Sequence, residues 1–197
     1  MPSLTNHHGP RAPAQPGVIA EWRRGLGIAR VVVRKSKAAE LAQQFQDRFG
    51  IALPGAPRRV QAGDMAALGV GPESWLVTAE KRGNDLAAAL KPLIGSAAAI
   101  CDQSDAYLVL RLTGAKLRSA LGKLVPLDVH ARAFKAGDVA HTIASHMGIL
   151  LWRLEDEDEA GRLPVFEIAV AGSSSASLHH ALSLSAAEFG WESTWNG

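Results

Sequence analysis

The chain has 197 residues, 47% hydrophobic and 20% charged, with a formal net charge of +2. That is ordinary globular composition, enough for one good-sized domain or two small, tightly joined lobes. The near-zero charge argues against nucleic acid as the main partner, because phosphate binding needs a concentrated basic patch. No run approaches the roughly 20 apolar residues of a membrane span. The lone cysteine, Cys101, can form neither an internal disulfide nor a thiolate metal site. It follows Ala97 to Ile100 and is expected on a buried strand as a small hydrophobe. The expected setting is the reduced cytoplasm.

Residues 1–26 are rich in proline, glycine and polar residues and read as a flexible N-terminal arm without a secretory apolar core. From Gly27, IARVVVRK is a β-branched run that predicts a buried strand. Ser36 is the expected N-cap of a helix that aligns Ala38, Leu41, Ala42, Phe45 and Phe49 on one face before Gly50 stops it. A proline-marked connection follows. DMAALGV and ESWLVTAE then predict a hairpin, with Gly71-Pro72 near its turn. A second helix is expected from Asn84, as its cap, to a break near Pro92, and AAAICDQ predicts another strand.

The order then repeats. AYLVLRLTG predicts a strand and AKLRSALGKL a helix. VPLDVHARAF is a proline-marked connection, and VAHTIAS with GILLWRL predicts a hairpin turning at His146. The acidic run Glu155 to Glu159 reads as a solvated loop. PVFEIAVA is a further strand, and Ser173 to Ser175 are placed to cap a last helix. Ala62-Gly63-Asp64 recurs as Ala136-Gly137-Asp138, and superposing the triplets lays Ser74-Trp75-Leu76-Val77 on Gly148-Ile149-Leu150-Leu151. The repeat predicts an α+β fold of two related βα-ββ-α lobes, residues 27–100 and 101–190, with a tail at 191–197. It also assigns both Gly-Asp pairs to turns rather than to catalysis.

Chemical motifs are sparse. His141 and His146 fall on opposite faces of an extended strand and cannot share a metal there. His179 and His180 are adjacent on a helix and point about 100° apart. HExxH, CxxC, GxxxxGK[ST], a strand-to-helix GxGxxG and GxSxG are all absent. The glycines of GLGIAR precede a strand, so no helix N-terminus receives a phosphate. No catalytic, cofactor-binding or metal-binding residue is assigned. Of five tryptophans, Trp75 and Trp152 fall on strands and are expected in the core. Trp22, Trp191 and Trp195 lie near the termini, where an intersubunit contact would bury them.

The order of these segments resembles the gamma subunit of heterotetrameric sarcosine oxidase. The resemblance rests on Asp102 to Ser104 before the central strand, Gly114 at its end, and Pro126-Leu127-Asp128 in the connection. Phe134 to Gly137, Trp152 at the hairpin end, and LGVGPESWLV from Leu68 to Val77 complete it. It implies an aminomethyltransferase (folate-binding domain)-like fold and membership in a complex that demethylates sarcosine to glycine. Such complexes yield formaldehyde or methylene-tetrahydrofolate, and hydrogen peroxide. The same resemblance implies partner alpha, beta and delta subunits carrying FAD, FMN, NAD, tetrahydrofolate and zinc, with no cofactor on this chain. Related N-methylglutamate dehydrogenase complexes contain similar chains. A stand-alone folate-dependent one-carbon transferase is the rival reading, with Asp102 and Asp105 as the acidic residues to test beside a pterin.

Overall fold

The computed structural model describes residues 15–157 and 163–194. The first lobe holds β2 (Gly27–Val33), α1 (Ala38–Phe49), β3 (Arg59–Ala62), β4 (Met65–Gly71), β5 (Ser74–Ala79), α2 (Asp85–Ile94) and β6 (Ala98–Asp102). The second holds β7 (Tyr107–Thr113), α3 (Leu117–Leu124), β8 (Val139–Ala144), β9 (Met147–Arg153), β10 (Val165–Ala171) and α4 (Ser175–Ala186). β1 (Val18–Trp22) and β11 (Trp191–Ser193) join the second sheet. The strand orders are β3-β4-β5-β2-β6 and β11-β1-β7-β10-β9-β8.

Alternation along the strands gives each sheet two buried faces. Ala29, Val31 and Val77 face α1 and α2, meeting Leu41, Phe45, Leu86 and Leu90. Leu110, Leu112, Phe166 and Ile168 face α3 and α4, meeting Leu117, Leu121, Leu178 and Leu182. The opposite faces meet each other, with Ile28, Leu68 and Leu76 against Val109, Leu150, Trp152 and Ala169. The result is four layers, helix–sheet–sheet–helix, which is the α+β architecture expected of two related lobes. A short backbone ladder joins the lobes at one edge. Arg59 N–H donates to the Gly137 carbonyl at 2.7 Å and Val139 N–H to the Pro57 carbonyl at 2.9 Å. Arg58 pairs with the Asp138 carboxylate across the same edge.

Gly114 shows why glycine ends β7. Its φ is +127°, and an added Cβ would lie 2.3 Å from the Gly17 carbonyl oxygen. Gly50 caps α1 in the left-handed region, with its N–H donating to the Gln46 carbonyl at 3.0 Å and the Ile51 N–H donating to the Phe45 carbonyl at 3.3 Å.

Several expectations are corrected. The arm at 1–26 is too long, since β1 runs antiparallel to β7 inside the six-stranded sheet. The rest of the arm up to residue 14, and Trp195 in the tail, lie outside the described residues, as do 158–162 of the acidic loop. The boundary after residue 100 cuts β6, which pairs with β2, so Cys101 and Asp102 belong to the first lobe. The 191–197 tail begins with a strand, β11, parallel to β1. Cys101 is exposed rather than buried, because it sits on the edge strand's open face. Ser36 takes φ +62° before the helix, and Lys37 occupies the N-cap position. Asn84 precedes α2 but makes no capping bond; its side chain donates to Asp105 instead. Pro92 lies within α2, where fully buried Ile94 holds the last turn beyond it. Ser175 opens α4 and donates to the Gly172 carbonyl at 2.7 Å rather than capping forward.

The register of the repeat is also corrected. In the first sheet β2 is followed by three antiparallel strands and pairs with the third, β5. In the second, β7 likewise pairs with the third strand after it, β10. β5 therefore corresponds to β10, and Ser74-Trp75-Leu76-Val77 does not fall on β9. Gly63-Asp64 turns between β3 and β4, whereas Gly137-Asp138 enters β8. The repeating unit has three strands between its helices rather than two.

Candidate functional site

The space between the sheets has three zones, and cross-strand register defines them. Residues opposite one another on paired strands share a face. On the first sheet the rows are Thr78 with Ile28, then Leu76 with Arg30 and Cys101, then Ser74 with Val32 and Ala99. On the second they are Val139, Trp152, Glu167 and Arg111, then His141, Leu150, Ala169 and Val109, then Ile143 with Gly148.

The first zone is ionic. Glu167 is 5% exposed and accepts a hydrogen bond from Trp152 Nε1 at 2.8 Å. Arg23 Nε lies 3.5 Å and Arg111 Nη1 3.8 Å from Glu167 Oε1. Arg23 also pairs with Glu80, and Arg111 with Glu157. Arg59 faces the same cavity of about 380 Å³. Burial, opposed by the carboxylates of Glu167 and Glu80, pulls its guanidinium below the ordinary arginine value. These residues form no group in the sequence, because they come from six separated strands, β1, β3, β5, β7, β9 and β10, and their ends. The available signal was a charge inside an apolar run, Arg111 in YLVLRLTG and Glu167 in PVFEIAVA. These two are direct cross-strand neighbours.

The middle zone is the apolar contact between the sheets. The third zone is bare. Arg30, Val32, Ala99 and Cys101 on one sheet and His141, Ile143 and Gly148 on the other are exposed. Val32 is 39% and Ile143 47% exposed, although both lie on faces that are sealed further along. Val32, Ala99 and Ile143 supply the apolar part of this open face, and Arg30 and His141 its polar part.

The two acidic residues singled out beside a pterin hold a turn. Asp102 Oδ1 accepts the Ser104 N–H at 2.9 Å and lies 2.7 Å from the Ser104 hydroxyl. The Ser104 N–H bond is the main reason the Asp102 carboxyl sits below its usual value. Ser104 Oγ accepts the Ile28 N–H at 3.0 Å, which ties this turn to the start of β2. Asp105 Oδ2 accepts from Asn84 Nδ2 at 2.8 Å. Asp105, Ser104 and Asn84 line a cleft of about 520 Å³ with Trp22 and Tyr107.

The histidines are dispersed. His146 is exposed at the β8–β9 turn and His141 on the bare face. His179 Nε2 lies 3.0 Å from Ser193 Oγ, and its ring meets Trp191 edge-on at 5.5 Å. Burial, reinforced by neighbouring His180, lowers its pKa. Trp191 and Trp22 are partly buried against the second-lobe core, so the fold itself uses both rings. Among the described residues no three histidine, cysteine or acidic side chains are grouped to hold a metal.

No protein-family profile matches the chain, and no curated protein matches it. Its three-dimensional structure does find relatives. A chain of the heterotetrameric sarcosine oxidase from Corynebacterium sp. U-96, solved with pyrrole 2-carboxylate, superposes with a TM-score of 0.74 at 26% identity, covering 90% of this chain and 88% of that one. The protein resembles a sarcosine oxidase subunit. The glycine cleavage system aminomethyltransferase T from Bartonella henselae superposes with a TM-score of 0.64 at 12% identity, covering 90% of this chain. This likeness shows the aminomethyltransferase-like fold, and this chain spans about half of that one, 48%. The sarcosine oxidase chain, by contrast, is covered over 88% of its length. Among the described residues no helix is long and apolar enough to cross a membrane.

Proposed function

We propose that this chain is the gamma subunit of a heterotetrameric sarcosine oxidase, a non-catalytic subunit that packs against the flavin- and folate-bearing chains. The observation that carries this reading is the superposition on a sarcosine oxidase chain over 90% of this protein and 88% of the other. The bare ends of both sheets support it, because they offer an apolar surface for a larger subunit to cover. On this reading FAD, FMN, NAD, tetrahydrofolate and zinc sit on the alpha, beta and delta subunits in the cytoplasm. Those companions oxidise sarcosine to glycine, with formaldehyde or methylene-tetrahydrofolate and hydrogen peroxide as the other products. Asp102 and Asp105 serve the turn that joins the lobes rather than a pterin.

The test is co-expression of the tagged chain with candidate flavin-bearing subunits. Affinity capture should bring down flavin absorbance, and the captured complex should form peroxide from sarcosine while the isolated chain does not. N-methylglutamate in place of sarcosine distinguishes the related dehydrogenase complex. A chain that stays monomeric beside those subunits, or one that binds tetrahydrofolate saturably alone, overturns the proposal.

A further inference from the structure

We infer, resting on the subunit reading, that the outer edge of β8 receives a short extended segment of a partner chain, added to the six-stranded sheet as a further strand. β8 ends the strand order of its sheet and pairs with β9 on its inner side. In an antiparallel pair, the N–H and C=O of one residue point toward the neighbour and those of the next point away. Val139 N–H points away from β9 and donates to the Pro57 carbonyl at 2.9 Å. Ser145 N–H likewise points away and donates to the Leu124 carbonyl at 3.0 Å. His141 and Ile143 lie between these two at the same alternation, so their N–H and C=O groups face outward as well. Among the described residues no backbone group is hydrogen-bonded to them on that side. The edge is an open window between two occupied ends, about 13 Å long, the length of roughly four extended residues.

Edge strands ordinarily carry a device against such pairing, whether short length, a charge, a proline or a bulge. The other three edges each have one. β11 has three residues and carries Glu192, β3 has four and carries Arg59, and β6 carries Asp102. β8 reads Val-Ala-His-Thr-Ile-Ala over six residues, with no proline, no glycine and no residue of fixed charge. His141 and Ile143, the two residues whose backbone is open, are exposed. Such a strand is a ready template for another one.

Shape and charge select the occupant. A hollow of about 410 Å³ lies beside this edge, with Val139 and His141 on one side and Pro57, Val70 and Pro72 on the other. Its lining holds no carboxylate, lysine or arginine. The side chains that alternate inward from an added strand therefore meet an uncharged, largely apolar wall. The segment that fits is extended, uncharged and apolar at alternate positions, so that main-chain bonds hold it and the hollow selects it. A second copy of β8 does not fit. Pairing His141 with Ile143 of the copy sets Val139 of one chain opposite Ser145 of the other, where the Pro57 and Leu124 carbonyls already stand.

The test uses the complex captured by co-expression with the candidate partner subunits. Hydrogen exchange should show the His141 and Ile143 amides slowing on assembly, while Thr142, paired with Ile149 of β9, is protected in both states. Proline at an outward-facing edge position removes a donor without breaking the ladder. Ile143→Pro should therefore melt close to wild type, yet be captured about tenfold more weakly than Ile143→Ala, which also lacks the side chain but keeps the N–H. If Ile143→Pro folds poorly, exchange in the wild-type complex decides alone. A wild type that captures no subunit overturns the subunit reading and the strand addition together. Capture of wild type with both amides exchanging as in the free chain, or with Ile143→Pro captured as well as Ile143→Ala, overturns the strand addition alone. Protection that grows with the concentration of the isolated chain marks a second copy at this edge and overturns it too.

Discussion

Glu167 sits in an otherwise apolar strand and is almost sealed from solvent. It survives there because an indole N–H and two guanidinium groups meet it. Glu167→Ala would strand the Trp152 N–H, while Arg23 and Arg111 keep Glu80 and Glu157, so the expected loss is about 2 kcal/mol, read as a lower urea midpoint. Glu167→Gln keeps an acceptor for Trp152 and should lose clearly less. Equal losses for the two would mean that packing, not hydrogen bonding, accounts for the cost. His179 gives a pH-dependent counterpart. Its folded pKa lies below the unfolded value of about 6.5, so the unfolded chain takes up the proton first as pH falls. Its contribution is intact above about pH 6.5 and declines as pH drops through that value toward the folded pKa. His179→Gln should therefore flatten the fall in unfolding free energy between about pH 7 and pH 5. A slope identical to wild type would show that this ring contributes no linkage.

At the level of elements, what was legible in the sequence followed local physics. Period-2 and β-branched runs marked β2, β4, β5, β7, β9 and β10, and the spacing of Leu41, Phe45 and Phe49 marked α1. Gly50 marked its end because a left-handed cap needs no partner from elsewhere. What failed depended on distant residues. β1 and β11 carry weak local signals and exist because they add to a sheet whose other strands lie far along the chain. Pro92 reads locally as a stop, yet burial of Leu90 and Ile94 carries α2 past it. Cys101 reads as core, but periodicity cannot tell a central strand from an edge strand with one bare face. The repeat was visible while its register was not. A shared Ala-Gly-Asp marks turn chemistry, which recurs wherever a strand begins, whereas correspondence between lobes is set by which strands pair. The ionic site was illegible as a group for the same reason. Arg23, Arg59, Glu80, Arg111 and Glu167 meet only after both sheets form and stack.

At the scale of the whole molecule, the sandwich is closed at its middle and left open at one end. Val32 and Ile143 stand on different sheets, in the rows farthest from the ionic cluster. Each follows the alternation of its strand, so neither is a stray surface residue. A partner that inserts between or across these rows would bury both, and charged substitutions there should separate binding from folding. Ile143→Asp and Val32→Asp each introduce a charge at a position already 47% or 39% exposed. The isolated chain should tolerate them, with its melting temperature nearly unchanged, since exposed positions shift stability by only about 0.5 kcal/mol. In the proposed complex, each should release the chain from its partner subunits, because a desolvated, unpaired carboxylate at an interface centre is strongly unfavourable. Leu184→Asp, on the outer face of α4 and 63% exposed, is the matched control and should leave capture intact. If all three variants are captured like wild type, the bare sheet ends are not the contact surface. Loss of capture with Leu184→Asp alone would move the contact to the helical layer instead.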